Sequence, residues 1–277
     1  MIVVSAGTVI LARPGVGIQF GIIPAQAVVL PLPRRVNAGS VLRAFEAART
    51  PVTHANLNSR LMRCGMEAVV ASNIIEELLR AGILHHSPTH QPITVLRTGH
   101  AAEALCEELS RLTIPAALRN RPRGTRDEVT VMTSGLFPTT DLHLELMEQR
   151  AIHLPAGIIG GRVTIGPLMY PGHTACFTCI DSHYEAEDAA WKAIRMQATA
   201  KPEAGDESST AQLAHTLARV IHTHLVGWIT DGCDPQAIPQ WLGARVTVDP
   251  LEGVTRRQTF APAPGCPSCA LAALAQA

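Results

Sequence analysis

Apolar and polar positions follow two rhythms along this chain, and the change between them divides it. Residues 1–35 carry short apolar runs broken by turn residues. Thr8-Val-Ile-Leu-Ala and Gly17-Ile-Gln-Phe-Gly-Ile flank Arg13-Pro-Gly-Val, where proline restricts φ and glycine frees it, as a hairpin connection requires. Val28-Val-Leu-Pro-Leu-Pro adds a third run ended by prolines, so the segment predicts a β-meander. The opening Met1-Ile-Val-Val-Ser-Ala-Gly is apolar but has no basic start and no clean cleavage site, and it reads as a strand rather than a signal peptide.

The period lengthens over residues 39–87. Val41, Leu42 and Phe45 fall at helical spacing. The clearest helix is Asn73-Ile-Ile-Glu-Glu-Leu-Leu-Arg-Ala-Gly, with Asn73 as cap, Glu76 behind it and Gly82 as stop. Ile74, Ile75, Leu78 and Leu79 make its expected buried face, and Ile83-Leu84-His85-His86 begins a strand. Short strands with about three helices predict a small winged-helix-like α+β module over 1–88. Ser87-Pro-Thr-His-Gln-Pro92 reads as a linker.

From residue 93 strands and helices alternate. Ile93–Arg97, Ile114–Leu118 and Val129–Thr133 are predicted strands, and Ala101–Leu112 and Thr140–Arg150 predicted helices. Ala156–Gly160 and Arg162–Pro167 read as two arms of a strand pair, and the whole as a largely parallel α/β sheet. A long helix is expected from Thr210 to Ile229, with Ser209 and Gln212 as a capping box and Leu213, Leu217, Val220, Ile221 and Trp228 as its apolar stripe. Residues 199–208 are polar and carry Pro and Gly, so a mobile loop is expected there.

Composition narrows the class without naming a function. The 277 residues are 47% hydrophobic and 17% charged with zero net charge, which fits a soluble globular protein. No basic footprint for nucleic acid exists, nor one for an anionic membrane, and no apolar run reaches the roughly 20 residues that span a bilayer. The seven cysteines are an odd number and suit metal or redox use better than a disulfide framework, so the cytoplasm is the expected compartment.

Four of the seven form two C-x-x-C pairs, Cys176-Phe-Thr-Cys179 and Cys266-Pro-Ser-Cys269. That spacing lets two thiolates grip one ion, and two such pairs supply a closed tetrahedral zinc site. The competing readings are a redox dithiol or plain buried thiols. A redox motif wants to open a helix, whereas these pairs follow the turn residues Pro171-Gly and Pro262-Ala-Pro-Gly. His173 either donates to a zinc-bound sulfur or is a surface turn residue. Cys233 lies between Asp231 and Asp234, which oppose ionisation, and Cys64 and Cys106 read as small core residues. His215 and His222 share a helix face with His224 nearby, with no carboxylate spaced to meet them, and read as a solvated face. Arg119, Arg121, Arg123 and Arg126 make a basic cluster that either docks an acidic segment or phosphate or is a solvated loop.

The segment from Ala156 to Cys179, with its strand pair and Pro171-Gly-His-Thr-Ala-Cys-Phe-Thr-Cys half-site completed by Cys266 and Cys269, resembles the ThiF/E1-like superfamily. More closely, the chain is similar to actinobacterial ThiF-family proteins and to the leader-binding cyclodehydratase partner proteins of azole-peptide biosynthesis. The resemblance implies a Rossmann-like E1/ThiF-type domain over 93–277 and a structural zinc ion on Cys176, Cys179, Cys266 and Cys269. It implies a peptide or protein partner and a homodimer. The family's adenylating members cradle ATP on a glycine-rich turn, hold the ribose with a carboxylate and bind magnesium with an acid. The matching positions here are Arg97-Thr-Gly99-His100 with one glycine, Ala117-Leu-Arg-Asn-Arg121 with no carboxylate, and Met132-Thr-Ser-Gly-Leu136 with no acid. The expectation is therefore a degenerate nucleotide site, no ATP, no catalytic residue and a pseudoenzyme that binds a peptide at the meander edge or packs that edge internally. The rival is an ATP-dependent adenylyltransferase with a non-standard nucleotide site. A third class is a winged-helix DNA-binding regulator, against which the neutral charge and the glutamates on Asn73–Arg80 argue.

Overall fold

The structure, a computed structural model, describes residues 1–5, 7–86, 93–98, 101–124, 128–133, 136–200, 206–249 and 255–274. The chain forms two compact units, Met1–Thr89 and His90–Ala277. The expected linker at 87–92 lies outside the described residues.

The first unit opens with β1 (Ile2–Val4), β2 (Ile10–Arg13), β3 (Gly17–Phe20) and β4 (Val28–Pro31). β2, β3 and β4 pair antiparallel in chain order, as the turn signals predict. Three helices follow, α1 (Ala38–Glu46), α2 (His54–Arg63) and α3 (Ala68–Arg80), and β5 (Leu84–His86) closes the unit by pairing antiparallel with β1. Asn37 and Thr53 cap α1 and α2 by accepting from the backbone N–H groups of Ser40 and Asn56. α3 begins five residues before the Asn73 cap that the sequence suggests, because Ala68-Val-Val-Ala continues the helical pattern and Ala71 belongs to the buried face with Ile75 and Leu78. Gly82 ends it in the left-handed region at φ 70°, as expected. Phe20 and Phe45 meet edge to face at 5.2 Å in the centre of this core, both fully buried.

The second unit is built on β6 (Ile93–Leu96), α4 (Ala101–Arg111), β7 (Ala116–Arg119), β8 (Val129–Met132), α5 (Thr140–Glu148), β9 (Ile152–Ile159) and β10 (Arg162–Ile165). Then come α6 (Phe177–Glu187), α7 (Trp191–Ala200), α8 (Glu207–Val220), a π-turn over Ile221–Leu225, α9 (Val226–Thr230), β11 (Arg245–Val248), β12 (Thr255–Gln258) and α10 (Pro267–Leu274). The seven-stranded sheet has the order β12-β11-β10-β9-β8-β6-β7. Only β9, β8, β6 and β7 are parallel; β10, β11 and β12 extend them antiparallel. The sheet is thus mixed rather than largely parallel. All four residues of β6 and of β8 are buried, as strands covered on both faces must be.

α8 starts earlier than the Ser209–Gln212 box predicts. Asp206 accepts from the Ser209 N–H at 2.7 Å and takes the cap, since its carboxylate also complements the positive helix end. α7 occupies residues expected to begin a mobile loop, of which 201–205 lie outside the described residues.

Phe45→Ala is expected to destabilise the first unit by about 3–5 kcal/mol, the usual range for an aromatic removed from a filled core, and chemical unfolding monitored by circular dichroism measures it.

Candidate functional site

Both cysteine pairs sit at helix starts. Cys176 is the residue before α6 and Cys179 lies in its first turn; Cys266 precedes α10 and Cys269 lies in its first turn. Both a redox dithiol and a metal half-site are therefore compatible with these positions, although turn residues precede each pair. The geometry of four sulfurs separates the two. Cys176 Sγ lies 3.7 Å from Cys179 Sγ and 3.6 Å from both Cys266 and Cys269, and Cys179 Sγ lies 3.6 Å from Cys269. All four atoms fall within 4.8 Å of one another. A tetrahedral ion with bonds of about 2.3 Å to sulfur sets sulfurs about 3.8 Å apart, whereas a disulfide needs about 2.05 Å. The cluster fits a metal ion and fits no disulfide.

The surroundings support ionised sulfur. Two helix N-termini point their partial positive charge at the cluster. The Ala263 N–H donates to Cys179 Sγ at 3.2 Å. A backbone group thus makes the contact to sulfur, while His173 is exposed and packs on Tyr170, 4.7 Å between ring centroids. Burial pushes the Cys269 thiol up to about 12. A divalent cation reverses that balance, since a coordinating thiol is deprotonated outright.

The third residues of the two motifs also meet: Thr178 Oγ1 and Ser268 Oγ lie 2.8 Å apart, and His143 Nε2 lies 3.2 Å from Thr178 Oγ1. Behind them His153 is fully buried, stacks on Phe177 at 5.6 Å, and donates from Nδ1 to the Ala151 carbonyl at 2.8 Å. Burial holds the imidazoles of His143 and His153 neutral, each lowered to about 4.

Other candidates scatter. Gly99, His100, Ser134, Gly135 and Arg126 lie outside the described residues. Arg97 pairs with Glu103 at 2.7 Å, Arg121 lies 3.8 Å from Glu145, and Arg123 is exposed. The His215 Nδ1 lies 3.4 Å from a Glu108 oxygen on α4, a carboxylate that helix spacing alone does not supply. His224 stacks flat on Trp241. Cys233 is buried in left-handed backbone at φ 55°, and Cys64 and Cys106 are half-buried.

In the first unit β2 and β4 are the two edge strands of the meander, and α3 runs beside β4. Between them lies a groove of about 400 Å³ lined by Val28, Val29, Leu30, Val70, Ile74 and Leu78, with Asn73, Glu77 and Ala81 completing it. It continues past Pro31, Leu32 and Met66. Val69 and Val70 of α3 are exposed at 71% and 46%.

No protein-family model and no curated protein sequence matches the chain. Solved structures do. A chain of the E. coli microcin synthetase McbBCD complex with pro-MccB17 bound is 12% identical, with 98% of this chain and 100% of that chain covered and a TM-score of 0.61. The heterocyclase TruD is 14% identical over 97% of this chain, at a TM-score of 0.55. A heterocyclase in complex with substrate and cofactor is 13% identical over 97% of this chain, also at 0.55. Its fold is similar to theirs. The chain spans 42% of the length of TruD and 39% of the second heterocyclase. Among the described residues no helix is long and apolar enough to cross a membrane.

Cys176→Ser and Cys269→Ser are each expected to lower metal content and melting temperature together, measured by elemental analysis and calorimetry on the same sample; a variant that keeps both would break the shared site. Acid has its own effect. His153 is neutral in the fold with its pKa lowered to about 4 from 6.5, so its contribution is complete above pH 6.5 and is lost as pH falls from there through about 4. The difference in unfolding midpoint between wild type and His153→Phe across pH 7.5 to 4.5 isolates the imidazole from metal loss, and it should move in favour of the variant on acidification.

Proposed function

We propose that this chain is a zinc-stabilised, ThiF/E1-like protein that binds a peptide or protein partner and presents it to a modifying enzyme, without itself activating a carboxylate. The observation that carries the reading is the β4–α3 groove. An edge strand has unpaired backbone groups on its outer side, so an added strand gains main-chain hydrogen bonds, and alternate side chains of that strand drop into adjacent pockets. Here the edge is short and lies against an apolar helix face, with Val28 and Leu30 on the core side. An extended segment with apolar residues at every second position fits this shape.

The rest of the reading agrees. Three helices set against an antiparallel meander support a winged-helix-like recognition module. The structures of similar fold include one with pro-MccB17 bound and one with substrate and cofactor. The metal is read as zinc, whose four-sulfur closed sites leave no open position for chemistry. The single glycine of Arg97-Thr-Gly99-His100 and the absence of acids from Ala117–Arg121 speak against adenylation.

Val70→Glu is the decisive variant, because Val70 lines the groove and is exposed enough to be replaced without disturbing the core. Calorimetry with a synthetic extended peptide carrying apolar residues at every second position is expected to show binding that weakens at least tenfold in the variant, about 1.4 kcal/mol, at unchanged melting temperature. Equal affinity in both would remove the groove from the reading. Micromolar Mg-ATP binding in the same cell would favour the adenylyltransferase instead.

A further inference from the structure

A second cluster in the His90–Ala277 unit stands apart from the four sulfurs and is not explained by them. Arg245, the first residue of β11, is only 5% exposed. Its Nε donates to the Gly166 carbonyl at 3.3 Å and its Nη1 to the Tyr184 hydroxyl at 2.9 Å. Its Nη2 is buried and has no hydrogen-bond partner among the described residues. Gly166 can offer that carbonyl because it sits at φ 79° with the Ala244 carbonyl 2.8 Å from where a Cβ would stand.

Three rings surround the guanidinium: Phe260 at 5.1 Å, Phe137 at 5.8 Å and Tyr184 at 5.9 Å. No carboxylate pairs with it among the described residues. Arg195 lies over the same Phe137 at 5.1 Å and takes the nearest acid, Asp181, at 3.3 Å. Asp181 also accepts from the Trp191 indole at 2.9 Å. Two guanidiniums therefore share one carboxylate. A guanidinium stays charged at any depth, so the cluster holds an uncompensated positive charge and an unused donor, a costly arrangement unless something completes it.

The place is one where ligands gather. Tyr184 and Phe260 pack against the buried cluster that includes Leu96 and Met132, the last residues of the parallel strands β6 and β8. β6 is followed in the chain by β7 on one side and flanked by β8 on the other, so the chain reverses direction across the sheet between them. Crevices at the carboxyl ends of strands at such a reversal are the usual binding sites of α/β sheets. Phe137, Tyr184, Trp191 and Phe260 are all half-buried, which opens the cluster to one side.

We propose that this cluster is an oxyanion site, in which Arg245 Nη2 receives one oxygen of a carboxylate or phosphate while the aromatic walls hold the group that carries it. One free donor and apolar walls suit a single oxyanion on a flat or apolar carrier, not a triphosphate, which needs a row of backbone amides. The proposal is independent of the peptide groove.

Trp191 is the reporter, since its ring lies 4.6 Å from Tyr184 and 5.5 Å from Phe137. The full-length, metal-loaded protein is titrated with sodium acetate, sodium benzoate, sodium phosphate and Mg-ATP, at ionic strength held constant with chloride. A saturable change in tryptophan emission is expected with benzoate or phosphate, absent in Trp191→Phe and weakened at least tenfold in Arg245→Met. Arg195→Gln, at a half-buried position, weakens it less and serves if Arg245→Met does not fold. Benzoate alone or phosphate alone identifies the source of the oxyanion. No saturation with any anion, an undiminished response in folded Arg245→Met, or tight binding of Mg-ATP alone would overturn the proposal.

Discussion

Four sulfurs at the meeting of two helix starts are the constraint on which the second unit depends. Each helix presents partial positive charge at its N-terminus, and two such ends facing one another repel. Four thiolates between them reverse the sign but repel each other and resist burial. A divalent cation balances both sets of charge at once, which is why the arrangement fits a bound metal better than free thiols. The helix beside the second pair packs through few side chains, Leu271 and Ala272 among them. α10 is Pro-Ser-Cys-Ala-Leu-Ala-Ala-Leu, and alanines bury too little apolar area to hold a short terminal helix in place. A bound metal ion would add to the small area that Leu271 and Ala272 bury. The effect reaches further, because the Ala263 N–H bonded to Cys179 anchors the segment that carries Phe260, one wall of the aromatic cluster around Arg245.

Much of this was legible in the residues, and the limits have physical reasons. Short-range signals read well: the Arg13-Pro-Gly turn gives the β2–β3 pair, Gly82 ends α3, and the C-x-x-C spacing announces the sulfur cluster before any coordinate is known. Helix starts read poorly where two capping residues compete. Asn73 and Ser209 are both good caps, yet α3 begins at Ala68 and α8 is capped by Asp206, because burial of Ala71 and the charge of Asp206 favour the longer helices. The antiparallel extension of the sheet was missed for another reason. Alternation of strands with helices reports on the parallel half alone, and β11 and β12 come after four intervening α-helices that give no hint of strand direction.

Contacts between distant elements were the least legible. Glu108 meets His215 from another helix, and Ala263 reaches Cys179 through its backbone, which no side-chain pattern records. The Arg245 cluster is the extreme case. Phe137, Tyr184, Trp191, Arg195, Arg245 and Phe260 come from five separate segments, with no spacing between them that marks a motif. Only the fold brings them together.

That cluster changes what the missing glycines mean. A parallel sheet creates a crevice at the carboxyl ends of its strands whatever residues line it, so losing a phosphate cradle does not remove the place where one would be. In this chain Arg97-Thr-Gly99-His100 has one glycine and Ala117–Arg121 has no acid, while the same end of the sheet carries two guanidiniums against aromatic rings. A glycine turn offers many weak donors to a polyphosphate that brings its own metal. A buried arginine offers one strong donor in a medium of low dielectric, where a single oxyanion is held more firmly than in water. The two solutions exclude one another in the same space, since the rings that shield Arg245 occupy volume near the ends of β6 and β8. An anion at this end of the sheet would therefore meet an arginine among rings rather than a glycine-rich turn, and the Ala263–Cys179 bond ties the segment of Phe260, one of those rings, to the sulfur cluster.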